Sequence, residues 1–406
     1  MPCLLPHIKQ MNIAEFYSNQ GGELLASDPR IGQRLIGQAI RLAPDEGICC
    51  FNLGIALHQQ RKINACIRAY EIALQTSNPP LKSIHQNLAQ DLLLAGRFNE
   101  GWELYEQRFK PGENDFFFNL LGSPWQGPEI EGWPPHLVLT AEQGFGDTLQ
   151  FCRFAIQLQE LGIRVTLFCQ PQLIEFLRIH STLNDVVSEI NHDQLKDGSR
   201  WCPLMSLPHR LKTEVNSIPK ASPYFHANAD GVDHWRKLLR QKPKTCLVGI
   251  HWQGNPKHEK TLYSRGRSMP LQTFNILTGV EGVEFVSLQK GSGSEQRNAS
   301  ITIPFVDGQA AFDASMDFSD TAAVLQLCDL IITADSGIVH LASGLGRPTW
   351  VALRWVPEWR WLLNGETTPW YQNLRLFRQP EDGDWASAMT EINSAFQEWL
   401  KTFNEC

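Results

Sequence analysis

A chain of 406 residues has room for two or three domains, and 42% hydrophobic with 19% charged residues describes a packed globular protein rather than a disordered one. The net charge is −7 and no block of Lys or Arg stands out, which excludes extended nucleic-acid binding. No run approaches the ~18 apolar residues of a membrane span, and the start MPCLLPHIKQMNIAEF lacks the basic and long apolar regions of a secretion signal, so a cytoplasmic protein is expected.

Residues 11–110 repeat. FNLGIALHQQRKINACIRAYEIAL (51–74) aligns with QNLAQDLLLAGRFNEGWELYEQRF (86–109) at an offset of 35, matching Asn52 with Asn87, Leu53 with Leu88, Asn64 with Asn99 and Tyr70 with Tyr105. The small residues Gly54 and Cys66 match Ala89 and Gly101. Each unit reads as two helices around a break, at Arg61-Lys62 or Gly96-Arg97. Small residues let the helices cross closely, and large ones fill the space beside them. Upstream, Ala39 precedes Ala73 by 34 residues, and Pro44 ends its helix. Period and positions resemble the tetratricopeptide repeat, with a degenerate first unit. Such an array either binds a peptide or protein partner or buttresses a neighbouring domain.

Residues 111–134 form a Pro-, Gly- and aromatic-rich linker whose Phe116–Phe118 run and Trp125 are too apolar to float free. From His136 the period changes. LVLTA (137–141) and IRVTLFC (163–169) read as strands, with an amphipathic helix over 148–162 between them. A helix at 171–180, a weak strand near 186–189 and WCPLMSLP (201–208) complete a domain over 135–228. Over 229–383 the pattern restarts. CLVGIHW (246–252) and VEFVSLQ (283–289) are strands, LQTFNIL opens a helix at 271, and TAAVLQLC (321–328) is a helix. Leu330–Leu353 is then a strand, polar break, helix and strand. Strands separated by helices of this length imply parallel sheets covered by helices. Residues 384–406 are a C-terminal helix with apolar positions at Trp385, Met389, Ile392, Phe396 and Trp399. The fold class is therefore α + α/β: all-α repeats, then a pair of Rossmann-like domains. The ten cysteines include no CxxC pair, and Cys66, Cys152, Cys246 and Cys328 lie in apolar or amphipathic segments, so buried reduced thiols are expected.

Candidate chemistry sits where strands end. In Glu142-Gln143-Gly144-Phe145-Gly146-Asp147 the glycines allow close approach to a ligand. Asp147 opens a helix, as a first-turn carboxylate favouring the dipole or as a general base at a cleft. CLVGIHW delivers Trp252, Gln253, Gly254 and Asn255 to a loop carrying Lys257, Lys260, Arg265 and Arg267. That loop is either solvated or gathered around a diphosphate. VSLQKGSG ends in Gln289, Lys290 and Gly291. The Ser336 and Gly337 amides at a helix start suit an anion. Asp335 would cap that helix or orient a sugar hydroxyl, and His340, one turn past Ser336, is a phosphate or sugar donor or a structural histidine. Trp350, Trp355, Trp359, Trp361, Trp370 and Tyr371 pack a core or line a sugar or base pocket. GxxxxGKS/T, HExxH, GxSxG and GxGxxG are absent, as is a DxD pair, which points to a metal-independent mechanism.

Together, EQGFGDTLQF, GIHWQGN, SLQK, ADSGIVHLASGLGRP and WRWLLNGETTPWY resemble bacterial tetratricopeptide-repeat glycosyltransferases, which belong with the ADP-heptose:lipopolysaccharide heptosyltransferases and are more distantly similar to protein O-GlcNAc transferases. The resemblance covers about residues 50–400. It implies a GT-B fold, two Rossmann-like domains facing across a cleft, with a C-terminal helix that can cross back onto the first. It implies a nucleotide-diphosphate sugar as co-substrate, no further cofactor or metal, and Asp147 as catalytic base. Asp335, Ser336, Gly337 and His340 match the family's D-S/T-G-x-x-H donor motif. Gln253, Asn255, Arg265, Arg267, Gln289 and Lys290 complete the donor side, while Glu142, Gln143, Gly144 and Gly146 form the acceptor-side loop. The family's lysine after the first strand of the second domain has no single counterpart among Lys257, Lys260, Arg265 and Arg267. The longer loop after HWQGN favours a donor other than ADP-heptose. The expected reaction is inverting transfer to a hydroxyl on a glycan, a lipid-linked glycan or another small acceptor, with peripheral membrane contact allowed. The rivals are a protein O-glycosyltransferase whose repeats present the polypeptide, and an inactive scaffold that binds a partner through the repeats.

Overall fold

Small residues set the architecture of the first hundred residues. In the computed structural model, α1 (Ile13–Leu24) pairs with α2 (Pro29–Leu42), α3 (Gly47–Gln59) with α4 (Ile63–Thr76), and α5 (Lys82–Leu94) with α6 (Phe98–Tyr105). A Cβ placed on Gly21 would lie 2.7 Å from the Gly32 carbonyl oxygen, and one on Gly54 only 2.2 Å from the Tyr70 ring. The helices therefore cross at distances that no larger residue allows. Asp28 caps α2, accepting from the Ile31 amide at 3.1 Å. The two expected breaks are left-handed turns at Arg61 (φ 60°) and Gly96 (φ 79°), 35 positions apart in sequence. Between α3, α4 and α5 lies a buried polar stitch, in which Asp91 pairs with His58 Nδ1 at 2.8 Å and accepts from Cys66 Sγ at 3.1 Å.

The structure describes residues 13–405 except 26, 45, 78–81, 110–114, 191–194, 196–197, 220–222, 241, 243–244, 262 and 300–302. The chain divides into two units, Met1–Lys110 and Pro111–Cys406. The second begins with two short helices, α7 (Asp115–Leu121) and α8 (Pro128–Glu131). Phe117 packs with Val138 and Trp201, and Trp125 is fully buried, whereas Phe116 and Phe118 are half exposed.

The first lobe of this unit holds β1 (His136–Thr140), α9 (Phe145–Glu160), β2 (Arg164–Phe168), α10 (Pro171–His180), β3 (Val186–Val187), β4 (Arg200–Pro203) and α11 (Leu207–Arg210). Its sheet is parallel in the order β3-β2-β1-β4. The second lobe holds α12 (Ala229–Leu239), β5 (Cys246–His251), β6 (Val283–Ser287), α13 (Gln309–Ala314), α14 (Phe318–Leu327), β7 (Leu330–Ala334), α15 (Gly337–Gly344), β8 (Thr349–Leu353), β9 (Leu374–Arg378) and α16 (Trp385–Glu405). Its sheet is parallel in the order β6-β5-β7-β8-β9. Every residue of β1, β5, β7 and β8 is buried, as expected of strands covered on both faces.

Helical repeats followed by two parallel α/β sheets are what the sequence leads one to expect, consistent with a GT-B-like double Rossmann fold. Four local differences stand out. Helix α9 begins at Phe145, three residues before the expected 148, with Asp147 in its first turn as the sequence allowed. Leu271–Leu277 is a 3-10 segment. Of the segment 201–208 only the part to Pro203, whose ring removes a ladder donor, belongs to a strand, β4. Strand β9 was not anticipated, because its apolar residues follow the tryptophan-rich stretch without a separate signal. Helix α16 does not cross back. Its Met389, Ile392 and Phe396 are buried in the core of the second sheet with Trp350, Phe274 and Phe377. The eight described cysteines are buried, as expected.

Candidate active site between the two lobes

Strand order predicts where a ligand would lie. In the first sheet β1 is flanked by β2 and β4, and in the second β5 is flanked by β6 and β7, so a crevice opens beyond the carboxyl ends of β1 and β5. The β1 exit is the loop Glu142–Asp147. Glu142 Oε2 accepts from the Met205 amide at 3.2 Å, and the Gln143 carbonyl accepts from Gln170 Nε2 at 2.8 Å, fixing the loop at both sides. Gly144 caps α9, and Asp147 Oδ2 accepts the Gly144 amide at 2.9 Å, a capping-box contact. The other oxygen, Oδ1, accepts from Arg360 of the second lobe. Asp147 is thus a cap and an inter-lobe partner at once.

The amino ends of α9 and α15 face each other. A Cβ on Gly146 would lie 3.2 Å from Gly337 Cα and 3.1 Å from His340 Cδ2, so glycine at 146 permits the approach of the lobes. Two helix amino ends brought together, each presenting unpaired amides, make a region favourable to negative charge.

On the second lobe, Ser336 begins α15 with an extended backbone, and its Oγ lies 3.1 Å from His251 Nδ1 at the end of β5. Burial, with the Arg267 charge adding to it, pushes His251 down to about 3, so the ring is neutral. The Arg267 guanidinium lies over the Gly254 backbone, where a Cβ would meet it at 3.0 Å. Asp335 is half-buried. Arg265 contributes its carbonyl, which accepts from buried Arg354 at 2.9 Å, pinning the basic loop to the β8 exit. Lys257 and Lys260 are exposed.

Several expected donor-side residues are engaged within the lobe. Gln289 Oε1 accepts from the Trp252 and Gln253 amides at 3.3 and 3.0 Å, and its Nε2 donates to the Gln253 and Ser292 carbonyls at 3.0 and 2.8 Å. Gln253 Oε1 accepts from Gln296 at 3.0 Å, and Asn255 caps the turn Pro256–His258 through the Lys257 amide. Lys290 donates to the Phe312 and Ser315 carbonyls and lies 3.9 Å from the Phe312 ring centre. Burial lowers it to about 8, partly offset by Asp320, Asp313 and Asp317.

His340 stacks on Trp361, with ring centres 5.7 Å apart and planes 10° apart, and its Nδ1 lies 2.9 Å from the Tyr371 hydroxyl. Burial, then the charges of Arg360, Arg153 and Arg267, hold His340 far below its ordinary value, so it is neutral. Its tautomer is tied to the direction of the Tyr371 hydroxyl. The Tyr224 hydroxyl spends its proton on the Leu149 carbonyl at 3.0 Å, leaving Tyr371 to donate either to Tyr224 at 3.4 Å or to His340 at 2.9 Å. With the Tyr371 proton on the shorter contact, His340 Nδ1 accepts and Nε2 carries the N–H; with it on Tyr224, the tautomer is reversed. Buried Arg153 of α9 closes the network, donating to Tyr224 Oη at 3.2 Å and to the Trp370 carbonyl at 2.7 Å.

The structure therefore gathers Asp147, Gly146, Ser336, Gly337 and His340 at one inter-lobe face, with the charge of Arg267 felt at His340. It adds His251, Arg153, Glu358 and Arg360, to which sequence reading assigned no role, and sets Tyr371, read as a core or pocket residue, against His340. The signal for some was present in GIHWQGN and WRW, but a lone His or Arg beside tryptophan carries no spacing that specifies a function. Glu358 bonds Arg360. Burial pushes its carboxyl up to about 7 against the pull of Arg360, with Asp335 and Asp147 adding to the rise.

Residues 295–353, which include the Asp335–His340 turn, match the family described as glycosyltransferase family 9 (heptosyltransferase). The chain resembles these glycosyltransferases. It is also 26% identical over 388 residues to protein FlbA of Caulobacter vibrioides, an alignment covering 89% of the chain and 63% of FlbA. The chain thus spans under two thirds of that relative's length. Among solved structures it is similar to a family 9 glycosyl transferase from Veillonella parvula (11% identity, TM-score 0.44, 65% of this chain and 89% of that one). It is likewise similar to the E. coli ADP-heptose lipopolysaccharide heptosyltransferase II (12% identity, TM-score 0.44, 65% and 99%). The family match falls wholly within the second unit. Among the described residues, no helix is long and apolar enough to cross a membrane.

Proposed function

We propose that the chain transfers a sugar, with inversion, from a nucleotide-diphosphate sugar to a hydroxyl acceptor. The observation that carries this reading is the meeting of the Gly144–Asp147 turn of one lobe with the Ser336–His340 turn of the other. In a single displacement, the acceptor oxygen forms its bond to the anomeric carbon as the bond to the diphosphate breaks. The acceptor proton passes to Asp147. The leaving diphosphate is neutralised by the amides at the start of α15 and by Arg267, while the His340 Nε2–H donates to a phosphate or sugar oxygen. Gln289, Asn255 and Lys290 act through the loops they hold rather than on the donor. Neutral histidines, fixed amides and arginines keep that charge pattern constant near pH 7.

The test is a panel of nucleotide sugars scored for nucleoside-diphosphate release, with Asp147→Asn as control. One donor is expected to turn over, and Asp147→Asn to lose about 10²- to 10⁴-fold in kcat while donor binding is kept. A panel in which nothing binds or turns over sinks the enzyme reading and leaves an inactive scaffold. A polypeptide acceptor is the second reading, favoured by the three helical hairpins in the same chain. Transfer to a protein that is lost on deleting residues 1–110, with donor cleavage retained, would select it.

A further inference from the structure

Arg360 lies in the turn Trp359–Trp361 beyond β8 and is buried at 8% exposure, yet it serves both lobes. Its Nη2 donates to Asp147 Oδ1 and its Nε to Gln150 Oε1, both on α9, while Nη1 donates to Glu358 Oε1 on its own lobe. Glu358 Oε2 accepts the Arg360 backbone N–H at 2.9 Å, which fixes the turn that carries the guanidinium. The guanidinium carbon sits 4.3 Å from the Trp359 ring centre and 5.5 Å from that of Phe151, one ring from each lobe. One planar group is thus fixed by a carboxylate and an aromatic ring on either side of the crevice. Burying an arginine between two carboxylates brings little stability over apolar packing of the same volume, so what the bridge positions is the better account of it.

We propose that Arg360 is a positioning residue for the transfer: delivered by the second lobe, it sets the Asp147 carboxylate on the first, so that the base is in place only while the lobes are together. The inference rests on the reading of Asp147 as the base. With Oδ2 on the Gly144 amide and Oδ1 on Arg360, both carboxylate oxygens are tethered and its rotation is restrained. When the lobes part, Asp147 keeps its cap contact alone and the carboxylate is free to turn. A donor held by the second lobe then meets no oriented base, which suppresses its cleavage by water. Glu358 anchors Arg360 without touching α9 through the bonds described, which makes it a support for the bridge.

The test is a double-mutant cycle on the nucleotide sugar that the wild type cleaves best, with affinity for its nucleoside diphosphate measured by calorimetry. Arg360→Gln is expected to lower kcat about 10- to 100-fold while donor KM and nucleoside-diphosphate affinity change less than about threefold. Arg360→Lys, which restores charge but not the planar fork, recovers part of the loss. In the Asp147→Asn background, Arg360→Gln adds nothing, because the residue acts through Asp147. Additive losses in the double variant, a fall in affinity matching the fall in kcat, or Arg360→Gln at the wild-type rate would each overturn the proposal. Should Asp147→Asn itself turn over normally, the base reading fails first and separately. A wild type that cleaves no donor overturns both.

Discussion

At the scale of single residues, the positive charge nearest the donor side is the most discriminating test. Arg267 reaches the pocket electrostatically, since its charge contributes to keeping both His251 and His340 neutral, whereas Lys257 and Lys260 are exposed. Replacing a charge-assisted hydrogen bond to a phosphate costs about 1.5–3 kcal/mol. Arg267→Gln is therefore expected to weaken nucleoside-diphosphate binding about 10- to 100-fold in calorimetry, with Lys257→Gln within about twofold of wild type. Equal losses from the two would return the diphosphate to the exposed part of the loop. Asp147 shows why residue identity alone left two roles open. The geometry gives it a helix cap through one oxygen and a contact across the crevice through the other, and the two are compatible.

At the scale of elements, the repeats show how a periodic pattern becomes a structure. The offset of 35 placed Arg61 opposite Gly96, and both adopt left-handed backbones at the hairpin turn, although only glycine does so without steric cost. What the period could not show is how α3, α4 and α5 are stitched. Asp91 is fully buried and shared by His58 and Cys66, so its removal takes a hydrogen-bond partner from both in a helical core. Asp91→Ala is expected to lower the stability of the helical unit by about 2–4 kcal/mol, read from urea unfolding followed by far-ultraviolet circular dichroism. A loss below about 0.5 kcal/mol would mean that the network is not a stabilising contact.

At the scale of the whole molecule, the buried titratable groups predict how stability follows pH. His251 is held at about 3 and His340 well below its ordinary value, whereas both would take protons near 6.5 in the unfolded chain. The unfolded state then binds more protons, so this stability is fully present above about pH 6.5 and is lost as pH falls below it. Each neutral histidine adds up to about 1.4 kcal/mol per pH unit to that slope. Glu358, raised to about 7, acts in the opposite sense, binding a proton in the folded state between about pH 4.3 and 7. Two histidines outweigh one carboxyl, so unfolding free energy is expected to fall between pH 6.5 and 5, with a shallower slope in His340→Gln. A flat or inverted profile in the wild type would mean that the histidines are solvated.

Much was legible in the chain itself. The repeat period, the change to short apolar strands at about residue 136, and the strand, polar break, helix and strand of Leu330–Leu353 are local patterns, set by backbone periods of 3.6 and 2, and the structure forms them. Four of the five motifs that carried the resemblance contribute side chains or backbone to the inter-lobe face, because ligand-bearing turns follow strands in any parallel sheet. The partners of those turns were not legible. Arg360 meets Asp147 across 213 positions and Ser336 meets His251 across 85, separations with no period to betray them. Whether a polar residue at a strand end faces a ligand or braces its own loop, as Gln289 does, depends on which hydrogen-bonding groups the packed lobes bring within 3 Å. Local sequence determined the elements and their order; the docking of one lobe on the other decided which of their residues stand together.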